Sequence, residues 1–181
     1  PMGGANPIRI QSMTNTITMD TDACIEQAKR IIDAGGEYVR LTTQGVREAE
    51  NLKNINIGIR SQGYDANLED DVHFNPKVAD VAAQYAEKVR INPGNYVAPG
   101  RTFKKLEYTD EEYAQEIEKI RTRIVPFLNI CKENHTAIRI GVNHGSLSDR
   151  IMSRYGDTPE GMVESCMEFL RICVEEHFTD V

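Results

Sequence analysis

Short runs of β-branched residues alternate along the chain with longer segments whose apolar positions recur at helical spacing. After residue 21, Ile25, Ala28 and Ile32 fall on one side of a helix, and Gly35-Gly36 follows as a stop signal. No low-complexity linker interrupts the alternation. Strands that alternate with helices in this way predict βα units arranged around a parallel sheet.

Five strands are predicted, and they cover residues 8–13, 38–42, a segment that ends within 71–74, then 88–92 and 137–142. Helices are predicted to follow them, running from residue 21, from 46 toward 63, from 76, from 109 and from 159. Residues 96–108 form a polar loop that is longer than a usual βα connection. Residues 178–181 are predicted to lead into a sixth strand.

The chain has 181 residues, which is fewer than the roughly 200 to 250 that a closed (β/α)8 barrel needs. The expected fold is therefore α/β, a partial (β/α)8 TIM barrel that comprises about the first five β/α units. Residues 1–181 are expected to form the N-terminal part of one substrate-binding barrel domain. The rest of that barrel is expected to lie outside this chain.

Charge and composition narrow the classes of function. The formal net charge of -7 disfavours nucleic acid as a partner, because the phosphate backbone usually requires a basic surface. No apolar run is long enough to span a bilayer, so no membrane partner is expected. The four cysteines form no CxxC pair and no disulfide-like framework, and residues 1–20 do not resemble a signal peptide. These features predict a reducing, cytoplasmic location.

Three arginines lie near the ends of predicted strands two, four and five, namely Arg40, Arg90 and Arg139. The carboxyl ends of barrel strands meet at the face where barrel enzymes build their sites. Three guanidinium groups in one pocket would repel each other unless an anion lies between them, and the guanidinium fork suits phosphate. We therefore expect a di- or polyanionic ligand, and expect that removing one arginine would hardly lower stability. Taken singly, each arginine could instead be a surface ion-pair residue.

Polar residues two apart on the same strands share a face with these arginines. Asn92 shares it with Arg90, Asn143 continues the face of Arg139, and Asp71 shares a face with His73. The Asp71 and His73 pair could bind a metal, act as acid and base, or form a hydrogen-bonded pocket wall. The pocket wall is favoured, since no third metal ligand is evident. No residue is assigned as catalytic or as a metal ligand.

Several long strings resemble one family: GGxxPIRIQSMTNT, YVRLTTQG, DVHFNPKVA, VRINPGNYV and RIGVNHGSLSDRIMSRYGDTPEGMVES. They are similar, in order and over nearly the whole chain, to the N-terminal TIM-barrel portion of the 4-hydroxy-3-methylbut-2-enyl diphosphate synthase (GcpE/IspG) family. The loop at 96–108 and the string NHGSLSDRIMSRYGDTPEGM resemble the larger form, found in plants and some bacteria, which carries an inserted domain.

The resemblance implies a function. It implies an oxidoreductase of the methylerythritol phosphate pathway of isoprenoid biosynthesis, which reductively opens 2-C-methyl-D-erythritol 2,4-cyclodiphosphate. It implies a 4Fe-4S cluster in the full-length protein, ferredoxin or flavodoxin as electron donor, and a homodimer in which the cluster sits on a separate C-terminal domain. The location would be the cytoplasm, or the plastid stroma in a plant.

The resemblance also implies which residues bind substrate. Arg40, Arg90 and Arg139 match the family's substrate-binding arginines, and Asp71, His73, Asn92 and Asn143 match polar positions around the same pocket.

Two departures from the family pattern affect these expectations. The cluster ligands of the family have no counterpart, so this chain by itself is expected to bind no cluster and to be inactive. Glu69 and Asp70 stand where the family usually has an apolar pair. Acids in a strand buried on both faces are costly unless the strand is exposed or distorted, and the sequence leaves open whether they distort strand three.

Two rival functions remain open from sequence. Another phosphate-binding barrel enzyme, such as a pterin-binding transferase, would present similar strand-end cations. A non-catalytic ligand-binding or assembly module would need no cluster at all.

Overall fold

The computed structural model describes residues 4–97 and 107–181. Within them, five parallel strands form one sheet in the order β1-β2-β3-β4-β5, so each strand pairs with the next along the chain. This order is what successive βα units produce. The strands are β1 Gln11–Met13, β2 Tyr38–Thr43, β3 Asn67–Val72, β4 Lys88–Ile91 and β5 Ala137–Ile140.

Helices follow each strand. They are α1 Thr21–Asp33, α2 Val46–Ser61, α3 Pro76–Ala82, α4 Pro93–Tyr96, α5 Asp110–Asn134, α6 Asp149–Tyr155 and α7 Pro159–Glu175. A single 3-10 turn, His144–Ser146, precedes α6. The predicted polar loop at 96–108 lies mostly outside the described residues.

Side chains at the starts of these helices explain where they begin. The Asn75 side chain accepts from the Lys77 backbone N–H at 3.0 Å, and Thr158 accepts from that of Gly161 at 3.1 Å. Each cap satisfies a backbone donor that the first helical turn leaves without a partner. Thr109 and Glu112 form the predicted capping box at the start of α5.

The described helices pack against the apolar side of the sheet. Strand residues on that side are apolar and almost fully buried, and they include Val39, Leu41, Leu68, Val89, Ile91 and Ile138. They form one continuous core with the inner faces of the helices. Each fully buried side chain of this size stabilises the fold by about 1.5–3 kcal/mol. The opposite side of the sheet is therefore the side left for a site.

The predicted strands match the observed ones except at the two ends of the sheet. The first strand covers only Gln11–Met13 instead of residues 8–13, because pairing begins where β2 begins, and Ile8 is 94% exposed. Residues 178–181 form no strand, although the Ile138 N–H donates to the Asp180 carbonyl at 2.8 Å. That bond runs along the free edge of β5, where a sixth strand was predicted.

Strand β3 is neither exposed nor distorted, which answers the question that its two extra acids leave open in the sequence. It pairs in register with β2 and β4, and Glu69, Asp70 and Asp71 are all at most 1% exposed. The strand tolerates these acids because each carboxylate has polar partners. Asp70 faces the helices, where it accepts a hydrogen bond from the Thr43 hydroxyl at 2.6 Å. Glu69 and Asp71 face the other side.

Burial raises the pKa of Asp70 to about 7; the Thr43 hydrogen bond opposes this rise, and the adjacent Asp71 charge adds to it. The folded chain therefore holds the proton more tightly than the unfolded chain, in which an aspartate titrates near about 4. As pH rises from about 4 to about 7, this group lowers the free energy of unfolding by at most about 1.4 kcal/mol per pH unit. Above that window the contribution is constant.

Asp70→Asn should accordingly be more stable than the wild type at pH 8, with the advantage shrinking toward pH 4. The amide stays neutral and can still accept from Thr43. Denaturant unfolding across pH 4–8 measures the difference, with the exposed Asp65→Asn as the matched control. A stability difference between Asp70→Asn and wild type that does not change with pH would contradict this account.

Candidate functional site

The side of the sheet away from the helices carries a layer of charged side chains. Strand alternation and register place six charged side chains on this side, and no other described strand residue there is charged. They are Arg40, Glu69, Asp71, Lys88, Arg90 and Arg139. Four are cationic and two anionic, so the face carries a formal excess of two positive charges. The whole chain, in contrast, carries -7.

Asp71 is the bridge between two of the predicted arginines. Its carboxylate accepts from Arg40 Nη2 through one oxygen and from Arg90 Nη1 through the other, the latter at 2.9 Å. Asp71 is 1% exposed and Arg90 8% exposed. Breaking such a buried pair by removing one partner leaves an uncompensated charge, which usually costs several kcal/mol.

Glu69 forms the second bridge. Lys88 Nζ lies 2.6 Å from one of its oxygens, while Arg139 Nη1 lies 3.4 Å and Arg40 Nε 3.9 Å from the other. Glu69 thereby joins Arg139 to the rest of the layer. Lys88 Nζ also lies 4.3 Å from the centre of the Tyr38 ring, a favourable position for a cation.

These bridges correct the expected arrangement of the three arginines. The arginines do meet on one face, but Asp71 and Glu69 already lie between them. Losing Arg90 would leave the buried Asp71 carboxylate underpaired, so for this residue the structure leads us to expect a loss of stability instead. Arg139 differs, because its side chain is 48% exposed and Glu69 keeps Lys88 as a partner.

Two guanidinium nitrogens of the layer keep unused hydrogen-bonding capacity. Arg40 Nε and Arg90 Nε are buried without a hydrogen-bond partner among the described residues, and so is His73 Nδ1. A buried donor without an acceptor is costly. An anionic oxygen that entered this face would find donors in place.

The predicted residue His73 lies at the edge of this layer. Its Nε2 is 3.8 Å from an Asp71 oxygen, and its ring packs against Phe74 at 5.8 Å. Asp71 already serves two arginines, and no group of three His, Cys, Asp or Glu side chains arranged for a metal occurs in the described part of the chain. At 3.8 Å, Asp71 and His73 share no hydrogen bond, and the hydrogen-bonded pocket wall stays a prediction.

Asn92 and Asn143 shape the loops that follow β4 and β5. The Asn92 side chain accepts from the Gly94 N–H at 3.1 Å and donates to Ser146 Oγ at 2.8 Å, while Asn143 accepts from the Gly145 N–H at 2.9 Å. The two loops touch closely, since a Cβ on Gly94 would lie 1.5 Å from the Ser146 carbonyl oxygen. Asn92 and Asn143 therefore meet through Ser146 rather than through the arginines.

A buried ion pair anchors the segment after this turn. Arg150 on α6 donates through two nitrogens to Glu168 on α7, with distances from 2.6 to 3.2 Å, and the Tyr113 hydroxyl of α5 also bonds Glu168. Burial and this carboxylate both raise the pKa of Tyr113, so the phenol remains the donor. The network fixes α6 on the barrel.

Sequence reasoning missed Lys88 and Ser146 as parts of the site and treated Glu69 as a defect. Period-two alternation could have found the charged pair, because Glu69 precedes Asp71 by two residues and Lys88 precedes Arg90 by two. No local signal marks Ser146.

Gly141 is required by Arg90, whose Nη2 donates to the Gly141 carbonyl at 2.6 Å. A Cβ at this position would lie 2.0 Å from Arg90 Nε. Gly141→Ala should therefore displace the guanidinium from Asp71 and lower the free energy of unfolding by about 1–3 kcal/mol. Denaturant unfolding of the single and double variants tests the cause: in an Arg90→Ala background the same substitution should cost much less. Equal costs in both backgrounds would show that Arg90 is not the obstacle.

Comparison with known proteins assigns the chain to a family. Residues 1–181 match the GcpE TIM-barrel domain. The chain is 90% identical over its full length to a protein of Phocaeicola vulgatus, 88% to one of Bacteroides thetaiotaomicron and 71% to one of Parabacteroides distasonis. All three bear the name 4-hydroxy-3-methylbut-2-en-1-yl diphosphate synthase (flavodoxin).

The chain spans about 30% of the length of each of these relatives. The predicted resemblance and the predicted fold are both confirmed, since the matching domain is a TIM barrel and the five parallel strands alternate with helices as its first units would. The chain belongs to the GcpE family and forms part of its TIM-barrel domain.

Proposed function

We propose that the chain supplies the diphosphate-binding pocket of an enzyme that reductively converts 2-C-methyl-D-erythritol 2,4-cyclodiphosphate to 4-hydroxy-3-methylbut-2-enyl diphosphate. The observation that carries the proposal is the excess of two positive charges on the interior face, which is the side of the sheet away from the helices, within a chain of net charge -7. Relatives named as the synthase support the choice of substrate over that of a pterin-binding transferase.

Arg40, Arg90 and Arg139 would receive the phosphate oxygens, and Arg40 Nε and Arg90 Nε are donors that still lack acceptors. Charge-assisted contacts of this kind are about twice as strong as neutral ones. Asp71 would hold two of these arginines in place, since it bonds both. His73, Asn92 and Asn143 would line the same mouth of the barrel.

The reduction requires electrons that this chain does not hold. The implied 4Fe-4S cluster would supply them, but the cysteines present do not fit it. Burial raises the pKa of all four thiols, to about 12 for Cys131 and about 11 for Cys173, which disfavours the thiolate that binds iron. Cluster ligands, the rest of the barrel and the inserted domain would come from sequence beyond this chain.

The electron donor we propose is flavodoxin, the word that the relatives' names carry, and the assembly a homodimer. Those relatives are bacterial proteins, which favours the cytoplasm as the compartment. Among the described residues no helix combines the length and the apolar character needed to cross a membrane.

The anion site is tested through Arg139, the arginine of the layer that is most exposed. Arg139→Ala should weaken binding of the cyclodiphosphate by roughly 1.5–3 kcal/mol, because a charge-assisted contact is lost. Its free energy of unfolding should change by less than about 1 kcal/mol, since the lost ion pair is half exposed. Arg139→Lys should recover only part of the affinity, as lysine lacks the planar fork.

Titration calorimetry measures the affinity, with Arg171→Ala as a control because Arg171 pairs with Glu164 on α7, outside the layer. Arg90→Ala should lose both affinity and stability. Unchanged affinity for Arg139→Ala together with a sharp loss of stability would make these arginines structural ion-pair residues.

Anaerobic reconstitution of the 181-residue chain with iron and sulfide should give no stoichiometric cluster, because three of its four cysteines are buried and no three His, Cys, Asp or Glu side chains of the described residues are arranged to hold a metal. Iron analysis and the visible absorption spectrum measure the outcome. One cluster per chain would contradict the assignment of the ligands to other sequence.

A further inference from the structure

Glu69 is the acidic group of the interior face that the proposed function leaves without a task. It is fully buried, and three cations surround it: Lys88 at 2.6 Å, Arg139 at 3.4 Å and Arg40 at 3.9 Å. The Asp71 carboxylate is already neutralised by Arg40 and Arg90, so the cations around Glu69 are not needed for Asp71. The presence of Glu69 is therefore explained by its effect on those cations.

Arg139 is the cation on which Glu69 acts most selectively. Lys88 and Arg90 are 8% exposed, whereas the Arg139 side chain is 48% exposed and bonds Glu69 alone among the two acids of the layer. To reach Glu69 on β3, the Arg139 side chain must extend from β5 across β4. The guanidinium is thus drawn down toward the strands.

An anion at the strand ends would need the same guanidinium. Carboxylate and phosphate oxygens compete for its donors, because both use the same planar fork. The contact of 3.4 Å between Arg139 and Glu69 is long for a charge-assisted hydrogen bond. Glu69 is therefore a weak competitor, and a better-placed phosphate oxygen can displace it from Arg139.

Resting on the proposed anion site, we infer that Glu69 is a positioning residue that acts as an internal counter-ion: it holds Arg139 in the empty pocket and competes with the phosphorylated ligand for it. The residue sets how much of the pocket's positive charge an incoming ligand can use. It touches no substrate itself and acts through Arg139.

The inference predicts the effect of removing the competing charge. Glu69→Gln should bind inorganic pyrophosphate about five- to tenfold more tightly than the wild type, because a negative charge close to the ligand is lost and Arg139 is released. Titration calorimetry of the protein at fixed ionic strength measures this, with Glu164→Gln on α7 removing the same unit of charge outside the layer. The control should bind as the wild type does.

A second variant separates release of Arg139 from a change in net charge. Glu69→Gln combined with Lys88→Met leaves the formal charge of the layer unchanged, and it keeps an apolar group against the Tyr38 ring. It also removes both members of a buried pair, which is often neutral for stability, and so it guards against a single variant that fails to fold. This double variant should still bind pyrophosphate about three- to tenfold more tightly, the gain expected from freeing one guanidinium.

In an Arg139→Ala background, the same pair of substitutions should leave the affinity within about twofold, because there is no guanidinium to release. Double-variant affinity equal to that of the wild type, or a gain that persists without Arg139, would overturn the inference and leave only a net-charge effect. Wild-type protein that binds neither pyrophosphate nor the cyclodiphosphate would instead overturn the proposed anion site, and the role of Glu69 with it.

Discussion

Two buried carboxylates control the interior face of this sheet. Asp71 and Glu69 are almost fully buried and lie among four cations that would otherwise repel each other on adjacent strands. Burying a charge in a protein interior is costly unless it is paired and hydrogen-bonded. The pairing of cations with these two acids is therefore what allows a parallel sheet to present a charged face instead of an apolar one.

The rest of the fold keeps that face in position. On the other side of each strand, apolar residues such as Leu68 and Val89 are buried under the helices. Because side chains alternate along a strand, burial of these apolar residues directs the charged residues to the opposite face. Gly141 leaves room for Arg90, and the close contact of Gly94 with Ser146 holds two strand-end loops together. The Arg150 and Glu168 pair then ties α6 to α7 behind them.

Sequence patterns predicted the order of the βα units and the meeting of three arginines, because both depend on local periodicity and on the rule that parallel strands end at one edge. They did not predict α6, whose seven residues are too few to show a clear apolar period and which is held by a tertiary ion pair. They misjudged Glu69, because its compensation comes from Lys88 and Arg139 on other strands. The register between strands determines which charges lie next to each other, and this register cannot be read from a single sequence.

In the proposed anion site, the same ion pairs would set a conflict between the stability of the empty site and its affinity for an anion. Every arginine held by a carboxylate is already oriented and partly desolvated, which lowers the cost of binding, yet each such bond must be shared when a phosphate oxygen arrives. Arg40 and Arg90 can share, since each keeps a buried Nε without a partner while bonded to Asp71. Arg139 has a single long contact to Glu69 and a half-exposed side chain, so it can exchange one partner for another. In the proposed anion site, the layer would thus combine two fixed arginines, which would orient a ligand, with one exchangeable arginine, which would adjust how tightly the ligand is held.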